Sequence, residues 1–355
     1  MPLTPSRYSA PNLVDFARAL LEKSGLNTER AHTVAEILVE GDLFGHQTHG
    51  LQLLPGYLGE LEKGSMTKIG EPRVIADFPA AVTWDGNRLP GPWLTVRAID
   101  LAVARAKING SCTVVIRRSH HIACLAAYLK RVADLGYLIV LTCSDPNVSS
   151  IAPFGGRRSV YTPNPIAAAW PTDGDPVILD VSMSIATNAM SQRLFKEGKK
   201  FPGPWVVDAE GGITDDPAAL FTQPPGTILP IGGTDHGHKG YALGLLVEAL
   251  TGGLAGHGRA DPKEGWGATI CIQVFNPALF GGKEDFARQT EYVARACREN
   301  PPRSGFDHVR LPGEAALQRR KTQLAEGVEL YPSILPALAP WAEKLGVTFP
   351  APTQP

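Results

Sequence analysis

Six of the nine histidines stand in three short clusters, and these clusters are the main chemical signal of the sequence. They lie in the stretches HQTHG (46–50), SHH (119–121) and HGH (236–238). One imidazole whose pKa lies near working pH is enough for acid–base catalysis when a neighbouring hydroxyl orients it. Thr48 supplies such a hydroxyl to His49. The alternative is a plain helix end, in which Thr48 only caps the next helix.

The same histidines allow a zinc site. Two imidazoles from HQTHG and a third from His121 or His238 would leave the fourth position of a catalytic zinc open for water. However, the sequence contains no HExxH motif, and no Asp, Glu or Cys stands at ligand spacing beside the pairs. We therefore expect no metal, and a zinc-dependent hydrolase or lyase remains the alternative function.

The stretch GHKGYALGLLVEAL suggests an anion site at the start of a helix. Gly237 and Gly240 would leave backbone N–H groups open there, and His238 and Lys239 add positive charge, which suits a phosphate or carboxylate. A glycine-rich turn with a solvated lysine is the alternative. No GxGxxG follows a predicted strand, so a dinucleotide would have to bind on a fold other than the Rossmann fold.

Two further stretches have both a functional and a structural interpretation. SHHIACLAAYL places paired histidines before a predicted helix; in the structural interpretation Ser119 caps that helix and His120 is exposed to solvent. In TPNPIAAAWP two prolines would fix Asn164 and the carbonyl of Thr162 toward a flat ligand. A turn that leads into a strand explains the second stretch equally well.

Composition favours a small-molecule partner. The net charge of −1 and the 19% of charged residues, spread without long blocks, exclude the basic surface of a nucleic-acid binder. Five widely spaced cysteines without a CxxC pair indicate a reducing compartment. No secretion signal and no apolar run of about 18 residues is present, so we expect a cytoplasmic protein without a membrane segment.

Helices at both ends and an alternation of strands and helices between them must position these residues. We expect two helices in the first 45 residues, a hairpin around Asp85-Gly86, and strands in CTVVIRR, YLIVLTCS and PVILDVS. The Pro/Gly/Ser-rich segment 145–176 is the expected binding loop. The predicted class is α/β, with a helical N-terminal region (1–70), a central cofactor- and substrate-binding domain (71–282), and a helical C-terminal region (283–355) that packs with the first.

The order of these motifs resembles the malate/L-lactate dehydrogenase-like family of NAD(P)-dependent oxidoreductases over nearly the whole chain. The matches are THG (48–50) for the family's SHG, RSHHI (118–122) for NSxHF, APFGG (152–156) for APxGG, YTPNPIAA for GTNPIAF, LDVSMS for LDMATS, GHKGYAL for GHKGYGL and LPGE (311–314). The resemblance implies a non-Rossmann α/β cofactor domain, a homodimer, and either NAD or NADP as cofactor.

The resemblance also implies roles for individual residues. His49 is the expected proton donor to a carbonyl or imine, and Thr48 takes the place of the relay serine. The expected catalytic residues are His49, Thr48, His121 and Asp145. The expected substrate-binding residues are Leu53, Tyr57, Thr162, Asn164 and Arg193. The expected cofactor-binding residues are His121, Ile122, Ala123, Cys124, Leu125, Leu179, Asp180, Val181, His238, Lys239 and Gly240.

Two departures from the family pattern bear on the substrate. Leu53 stands where the family has an arginine thought to clamp the substrate carboxylate, so either another cation such as Arg193 replaces it or the substrate is less acidic. The aspartate that follows the LDMATS segment in cyclic imino acid reductases is absent, and Asp145 is the expected substitute, with a turn-forming Asp-Pro as its alternative. A member that has lost catalysis and only binds a ligand is a further alternative.

Overall fold

The computed structural model describes residues 6–353 of the chain. Its α-helices are α1 (Ala10–Lys23), α2 (Thr28–Leu43), α3 (Leu54–Lys63), α4 (Gly91–Asn109), α5 (Lys130–Ala133), α6 (Asn188–Lys196), α7 (Gly233–Glu248), α8 (Lys283–Arg298), α9 (Glu314–Glu326) and α10 (Ile334–Leu345). Its strands are β1 (Arg7–Tyr8), β2 (Arg73–Phe78), β3 (Ala81–Asp85), β4 (Ser111–Ser119), β5 (Leu138–Ser144), β6 (Ile166–Trp170), β7 (Val177–Val181), β8 (Val206–Val207), β9 (Ile213–Thr214), β10 (Thr227–Ile228), β11 (Ala268–Phe275) and β12 (Val328–Glu329).

A seven-stranded sheet in the order β2-β3-β4-β11-β5-β6-β7 forms the centre of the molecule. Only β3 and β4 run parallel among its neighbouring strands; the other pairs are antiparallel. The apolar strands β4, β11 and β5 lie in the middle and are largely buried on both faces, as their composition predicts. This mixed sheet is not the parallel sheet of a Rossmann domain, so the expected non-Rossmann α/β class is confirmed.

The two ends of the chain pack together, as expected. The helix α1 contacts α10, α2 contacts α9, and β1 pairs antiparallel with β12. One hydrophobic core runs from these helices into the sheet and includes Leu13, Leu38, Ile116, Ile270 and Leu338. Because this core is continuous, the division at residues 70 and 282 stays a prediction, although β2 and α8 begin just after those positions.

The prediction of a hairpin around Asp85-Gly86 is wrong. The hairpin joins β2 to β3 through Pro79 and Ala80, and β3 ends at Asp85. The carboxylate of Asp85 is buried and accepts hydrogen bonds from Arg117 and Arg118 at the end of β4. Asp85 also accepts a hydrogen bond of 3.1 Å from the Asn87 N–H, so it ends β3 and starts a turn toward α4 while its carboxylate pairs with two arginines of β4.

A small lobe faces one side of the main sheet. It contains the strands β8, β9 and β10 around a separate core that includes Ile151, Tyr161, Phe201, Val206 and Ile228. The expected binding loop supplies some of this lobe, but the loop ends earlier than expected because β6 occupies residues 166–170. Within residues 6–353, no helix is both long and apolar enough to span a membrane.

Candidate active site

A cavity of about 820 Å³ lies between the main sheet and the small lobe. This volume is in the range of small-molecule and cofactor sites. Its walls come from the HQTHG turn, the segment after β4, the ends of β5 and β7, and the lobe. The expected site residues that line it are Thr48, His49, Leu53, His121, Ala123, Cys124, Leu125, Asp145, Thr162, Asn164 and Asp180.

His49 lies in the turn that joins α2 to the short helix before α3. Its backbone N–H donates to the carbonyl of His46, which closes the turn at 2.8 Å. The Thr48 hydroxyl lies 2.8 Å from Nδ1 of His49. Burial lowers the pKa of His49, and the nearby Asp180 carboxylate opposes this effect. The imidazole is thus oriented at one ring nitrogen, which is what an acid–base group requires.

A buried aspartate that the sequence did not reveal supports this turn. Asp42 is fully buried at the end of α2, and its carboxylate accepts a hydrogen bond of 2.7 Å from the Leu51 N–H. A Cβ atom on Gly50 would lie 2.3 Å from the Asp42 carboxylate carbon, so only glycine fits between the turn and the acid. Burial raises the pKa of Asp42 to about 7. The available signal was a carboxylate on the apolar face of α2, four residues after Leu38 and three after Val39.

His121 lies opposite His49, with the two rings 6.2 Å apart. The Tyr57 hydroxyl lies 2.9 Å from Nδ1 of His121, and the Ala123 N–H donates to the same nitrogen at 3.3 Å. Nδ1 is therefore an acceptor, and Nε2 carries the proton of the neutral ring. Burial and the neighbouring His49 lower the pKa of His121 well below its ordinary value. Trp266, whose ring lies 4.8 Å from His121, was not predicted; its place in GWG directly before β11 was the available signal.

The structural interpretation of SHHIACLAAYL, in which His120 is exposed to solvent, is wrong. Its side chain is fully buried between Tyr57 and Trp266, and its Nε2 lies 3.6 Å from a Glu60 carboxylate oxygen. Burial lowers the pKa of His120 to about 4. Ser119 donates its hydroxyl to the His120 carbonyl rather than capping a helix. His120 thus acts in packing, behind the residues that line the cavity.

The polar residues on the lobe side bond mainly to one another. Asn164 donates to the Gly244 carbonyl and to Glu248, and it accepts from Thr162 at 2.7 Å. Both of its N–H groups are therefore used within the protein, and substrate binding by Thr162 and Asn164 stays a prediction.

Asp145 lines the cavity, and its carboxylate also accepts hydrogen bonds from the backbone of a turn. One of its carboxylate oxygens accepts from the Asn147 N–H at 2.9 Å, and the other accepts from the Gly267 N–H at 3.3 Å. Burial raises the pKa of Asp145. The first contact is the Asx turn of the structural interpretation, and the catalytic role of Asp145 stays a prediction.

Comparisons with known proteins identify the family. A model described as malate/L-lactate dehydrogenase matches residues 8–339. The chain belongs to the malate/L-lactate dehydrogenase family. It is 31% identical over 351 residues to an L-lactate dehydrogenase of Cupriavidus necator, covering 97% of this chain and 99% of the relative.

Solved structures agree with the family. The malate dehydrogenase of Pyrococcus horikoshii superimposes with a TM-score of 0.86 at 28% identity, covering 97% of this chain and 96% of that one. The Δ1-piperideine-2-carboxylate reductase of Pseudomonas syringae pv. tomato gives a TM-score of 0.82 at 28% identity, covering 95% and 99%. The expected oxidoreductase class is thereby confirmed, and the alternative of a zinc hydrolase or lyase is not favoured.

The position of the family arginine is occupied by a residue without charge. Leu53 lines the cavity, and among the described lining residues none is lysine or arginine. Arg193 does not line the cavity: its guanidinium stacks 3.8 Å over the Tyr331 ring and donates to the Gln52 side chain at 2.5 Å. Arg193 is thus held beside Gln52 by other contacts, and its substrate-binding role stays a prediction.

Some of the expected cofactor-binding residues line the cavity and others do not. Asp180 accepts a hydrogen bond of 2.9 Å from the Ala126 N–H, which joins the end of β7 to the segment after β4. The expected site residues outside the cavity lining are Tyr57, Ile122, Leu179, Val181, Arg193, His238, Lys239 and Gly240. Tyr57 still acts on the site through its contact with His121.

The expected anion site at residues 237–240 is misplaced. The helix α7 starts at Gly233, so the backbone N–H groups of His238, Lys239 and Gly240 lie inside the helix and bond to earlier carbonyls. His238 packs against Phe154 with its ring 5.7 Å away. The open N–H groups of this helix belong to its first turn, and cofactor binding by these three residues stays a prediction.

Proposed function

We propose that this enzyme transfers hydride between a nicotinamide cofactor, NAD or NADP, and a small 2-hydroxy or 2-oxo acid, imino acid or related ketone. His49 moves the accompanying proton. The observation that carries the proposal is the 2.8 Å contact between Thr48 Oγ1 and His49 Nδ1 on the wall of a ligand-sized cavity. The names of the similar proteins, which are dehydrogenases and a reductase, support the reaction class.

The chemistry of His49 follows from its one oriented nitrogen. With the proton of the neutral ring on Nδ1 and donated to Thr48, Nε2 keeps a lone pair that accepts the proton of a substrate hydroxyl. In the reverse direction a protonated Nε2 returns that proton to the carbonyl oxygen or imine nitrogen. Since burial lowers the pKa of His49, the neutral ring that oxidation needs is favoured as the pH rises, and the protonated ring that reduction needs is favoured as the pH falls.

The residues present fit a nicotinamide cofactor. When bound, the cofactor accepts or supplies the hydride. The cavity is large enough for a ligand of this class, and its walls combine Leu125 and Trp266 with the carboxylate of Asp180 and the neutral ring of His121. In our proposal residues 121–125 and 179–181 hold the cofactor, and Nε2 of His121 donates to a polar ligand group.

We further propose that Leu53 adapts the pocket to substrates less acidic than those of relatives with arginine there. A guanidinium–carboxylate hydrogen bond contributes about 1.5–3 kcal/mol, or roughly 10- to 150-fold in kcat/KM. Leu53→Arg is expected to raise the ratio of kcat/KM for a 2-oxo acid over a matched uncharged ketone by this factor, whereas Leu53→Met leaves it unchanged. An unchanged ratio in Leu53→Arg would show that another cation already binds the carboxylate.

The proposed function is tested by titrating the purified protein with NADH and NADPH, using the fluorescence of the nicotinamide. The tighter nucleotide is then used to screen 2-oxo acids, imines and uncharged ketones. We expect binding of at least one nucleotide and turnover that His49→Gln abolishes. Binding of neither nucleotide would refute the proposal; binding without turnover would support a member that only binds its ligand.

We also propose a homodimer in a reducing cytoplasm. Leu243, Leu246 and Leu254 on and after α7 are exposed, and contiguous exposed apolar side chains are typical of an interface. All five cysteines, which lie within the described residues, are unpaired. Light scattering at several protein concentrations tests the dimer, and a monomer throughout would rule it out.

A further inference from the structure

Three side chains far apart in the sequence bring unlike donor atoms together on the cavity wall. A ring nitrogen of His46, the thiol sulfur of Cys124 and a carboxylate oxygen of Asp180 all lie within 4.8 Å of one another. The thiol sulfur is 3.8 Å from the carboxylate oxygen of Asp180. Each residue lines the cavity, so a ligand in the cavity can reach all three. Spacing within the chain could not reveal this group, because its members come from three separate segments.

The distances suit one small cation. In a tetrahedral zinc site with bonds of roughly 2.0–2.3 Å, neighbouring donor atoms are about 3.5 Å apart. The measured 3.8 Å between Cys124 and Asp180 is close to this value. The widest pair, at no more than 4.8 Å, must contract by at most about 1.3 Å to reach the ideal separation, and rotation of the half-buried His46 ring can provide this. The three residues line the cavity, so water from the cavity would complete the coordination of a bound cation.

The surrounding charges favour a cation over an anion. The described residues that line the cavity include the carboxylates of Asp145 and Asp180 but no lysine or arginine. Arg259 lies behind the wall, 3.0 Å from the Ser144 hydroxyl, and its charge is paired with Glu248. Thiolate and imidazole select zinc-like metals over magnesium or calcium, which prefer oxygen donors.

We propose that His46, Cys124 and Asp180 form a site for a thiophilic divalent cation of the Zn²⁺ type, and that this cation and the nicotinamide cofactor exclude each other. The exclusion rests on the proposed function, which places the cofactor along residues 121–125 and 179–181. The cation inhibits the enzyme and takes no part in hydride transfer.

Binding releases one proton. The S–H bond of Cys124 breaks, a sulfur–metal bond forms, one metal-bound water leaves, and the thiol proton passes to solvent. No electron is transferred, and no further reactant is needed. The affinity for the metal therefore rises with pH, because a proton competes with the metal for the sulfur.

The site itself is tested on metal-free protein with CoCl₂ and ZnCl₂, without any cofactor. We expect one Co²⁺ per chain, with the near-ultraviolet band of a thiolate bound to cobalt, and loss of that band when Zn²⁺ is added. Cys124→Ala is expected to abolish the band, and His46→Ala to weaken binding at least tenfold. Cys143→Ala is the matched control, because Cys143 lines the same cavity outside the donor group, and it should retain the band.

Circular dichroism shows whether each variant folds. If Cys124→Ala does not fold, His46→Ala still tests the site. A band that persists in Cys124→Ala, or the absence of stoichiometric binding to the wild-type protein, would overturn the site.

The exclusion is tested by repeating the nucleotide titration with Zn²⁺ present. At a Zn²⁺ concentration ten times its own Kd, simple competition raises the apparent Kd of the nucleotide roughly tenfold. An unchanged nucleotide Kd would overturn the exclusion while leaving the site. If neither nucleotide binds the metal-free protein, the proposed function and the exclusion both fail, and the cobalt spectrum still decides whether the site exists.

Discussion

Replacing Thr48 by valine tests the proton relay most directly. The change removes the hydroxyl that lies 2.8 Å from Nδ1 of His49 and keeps the branched shape at Cβ. In the proposed mechanism Nδ1–H donates to this hydroxyl while Nε2 takes or gives the substrate proton. With valine, the His49 ring loses the hydroxyl that orients it. The ring also loses the hydrogen-bond acceptor that stabilises its positive charge after it takes up a proton.

The expected loss follows from the charge on the ring. As the substrate is oxidised, His49 becomes an imidazolium whose Nδ1–H has lost its acceptor. A hydrogen bond to a charged group contributes about 1.5–3 kcal/mol. We therefore expect kcat/KM for oxidation to fall roughly 10- to 150-fold in Thr48→Val.

The pH dependence gives a second readout. Burial lowers the pKa of His49, so the rate of oxidation is expected to rise with pH through that pKa and then level off, while the rate of reduction falls over the same interval. Loss of the Thr48 hydroxyl destabilises the protonated ring more than the neutral ring. The pKa of His49 therefore falls further in the variant, and both profiles move to lower pH.

The assay is the steady-state rate of change in nicotinamide absorbance, measured in both directions across the pH range. Thr48→Ser is the matched control: it keeps the hydroxyl and is expected to remain within a few-fold of the wild type. If Thr48→Val shows wild-type kcat/KM and an unshifted pH profile, the relay between Thr48 and His49 does not operate.

Three other changes probe the supports of the site. Gly50→Ala is expected to lower the free energy of unfolding by about 2 kcal/mol or more, because the added Cβ would overlap the Asp42 carboxylate. Urea unfolding measures this loss, with Gly59→Ala as the control because a Cβ at residue 59 meets no atom within 4 Å. Tyr57→Phe is expected to reduce kcat/KM about 5- to 10-fold through the lost contact with His121, and a change below twofold would contradict this. Burial raises the pKa of Asp42 from 3.8 to about 7. Between these two pH values the carboxyl group is protonated in the native state and ionised in the unfolded state, so the free energy of unfolding falls as the pH rises. Asp42→Asn removes this fall, up to about 1.4 kcal/mol per pH unit; equal slopes in urea unfolding would refute the assignment.

Local interactions explain where prediction from the sequence succeeded in the fold. The buried strands β4 and β5 follow from runs of apolar residues in the sequence. The predictions of a hairpin at Asp85-Gly86 and of a helix start near Gly237 were wrong. Asp85 is held by arginines of a neighbouring strand. The helix α7 begins at Gly233, whose φ of +61° lies in the left-handed region that favours glycine.

The site divides in the same way. Thr48 and His49 are adjacent, so their contact is a matter of local geometry, and the ordered motifs were enough to indicate the family. The burial of Asp42, the contact of Tyr57 with His121 and the absence of lysine and arginine from the described lining arise from chain segments that meet only in the folded molecule.

The sequence by itself determined the α/β class, the family and the turn that carries His49, because these depend on periodicity and on motifs within a few residues. Only the tertiary structure decided which groups share the cavity. It placed Arg193 outside the lining and brought His46, Cys124 and Asp180 together. The physical reason is that burial and distance, which set pKa values and ligand geometry, depend on packing between segments that no spacing along the chain encodes.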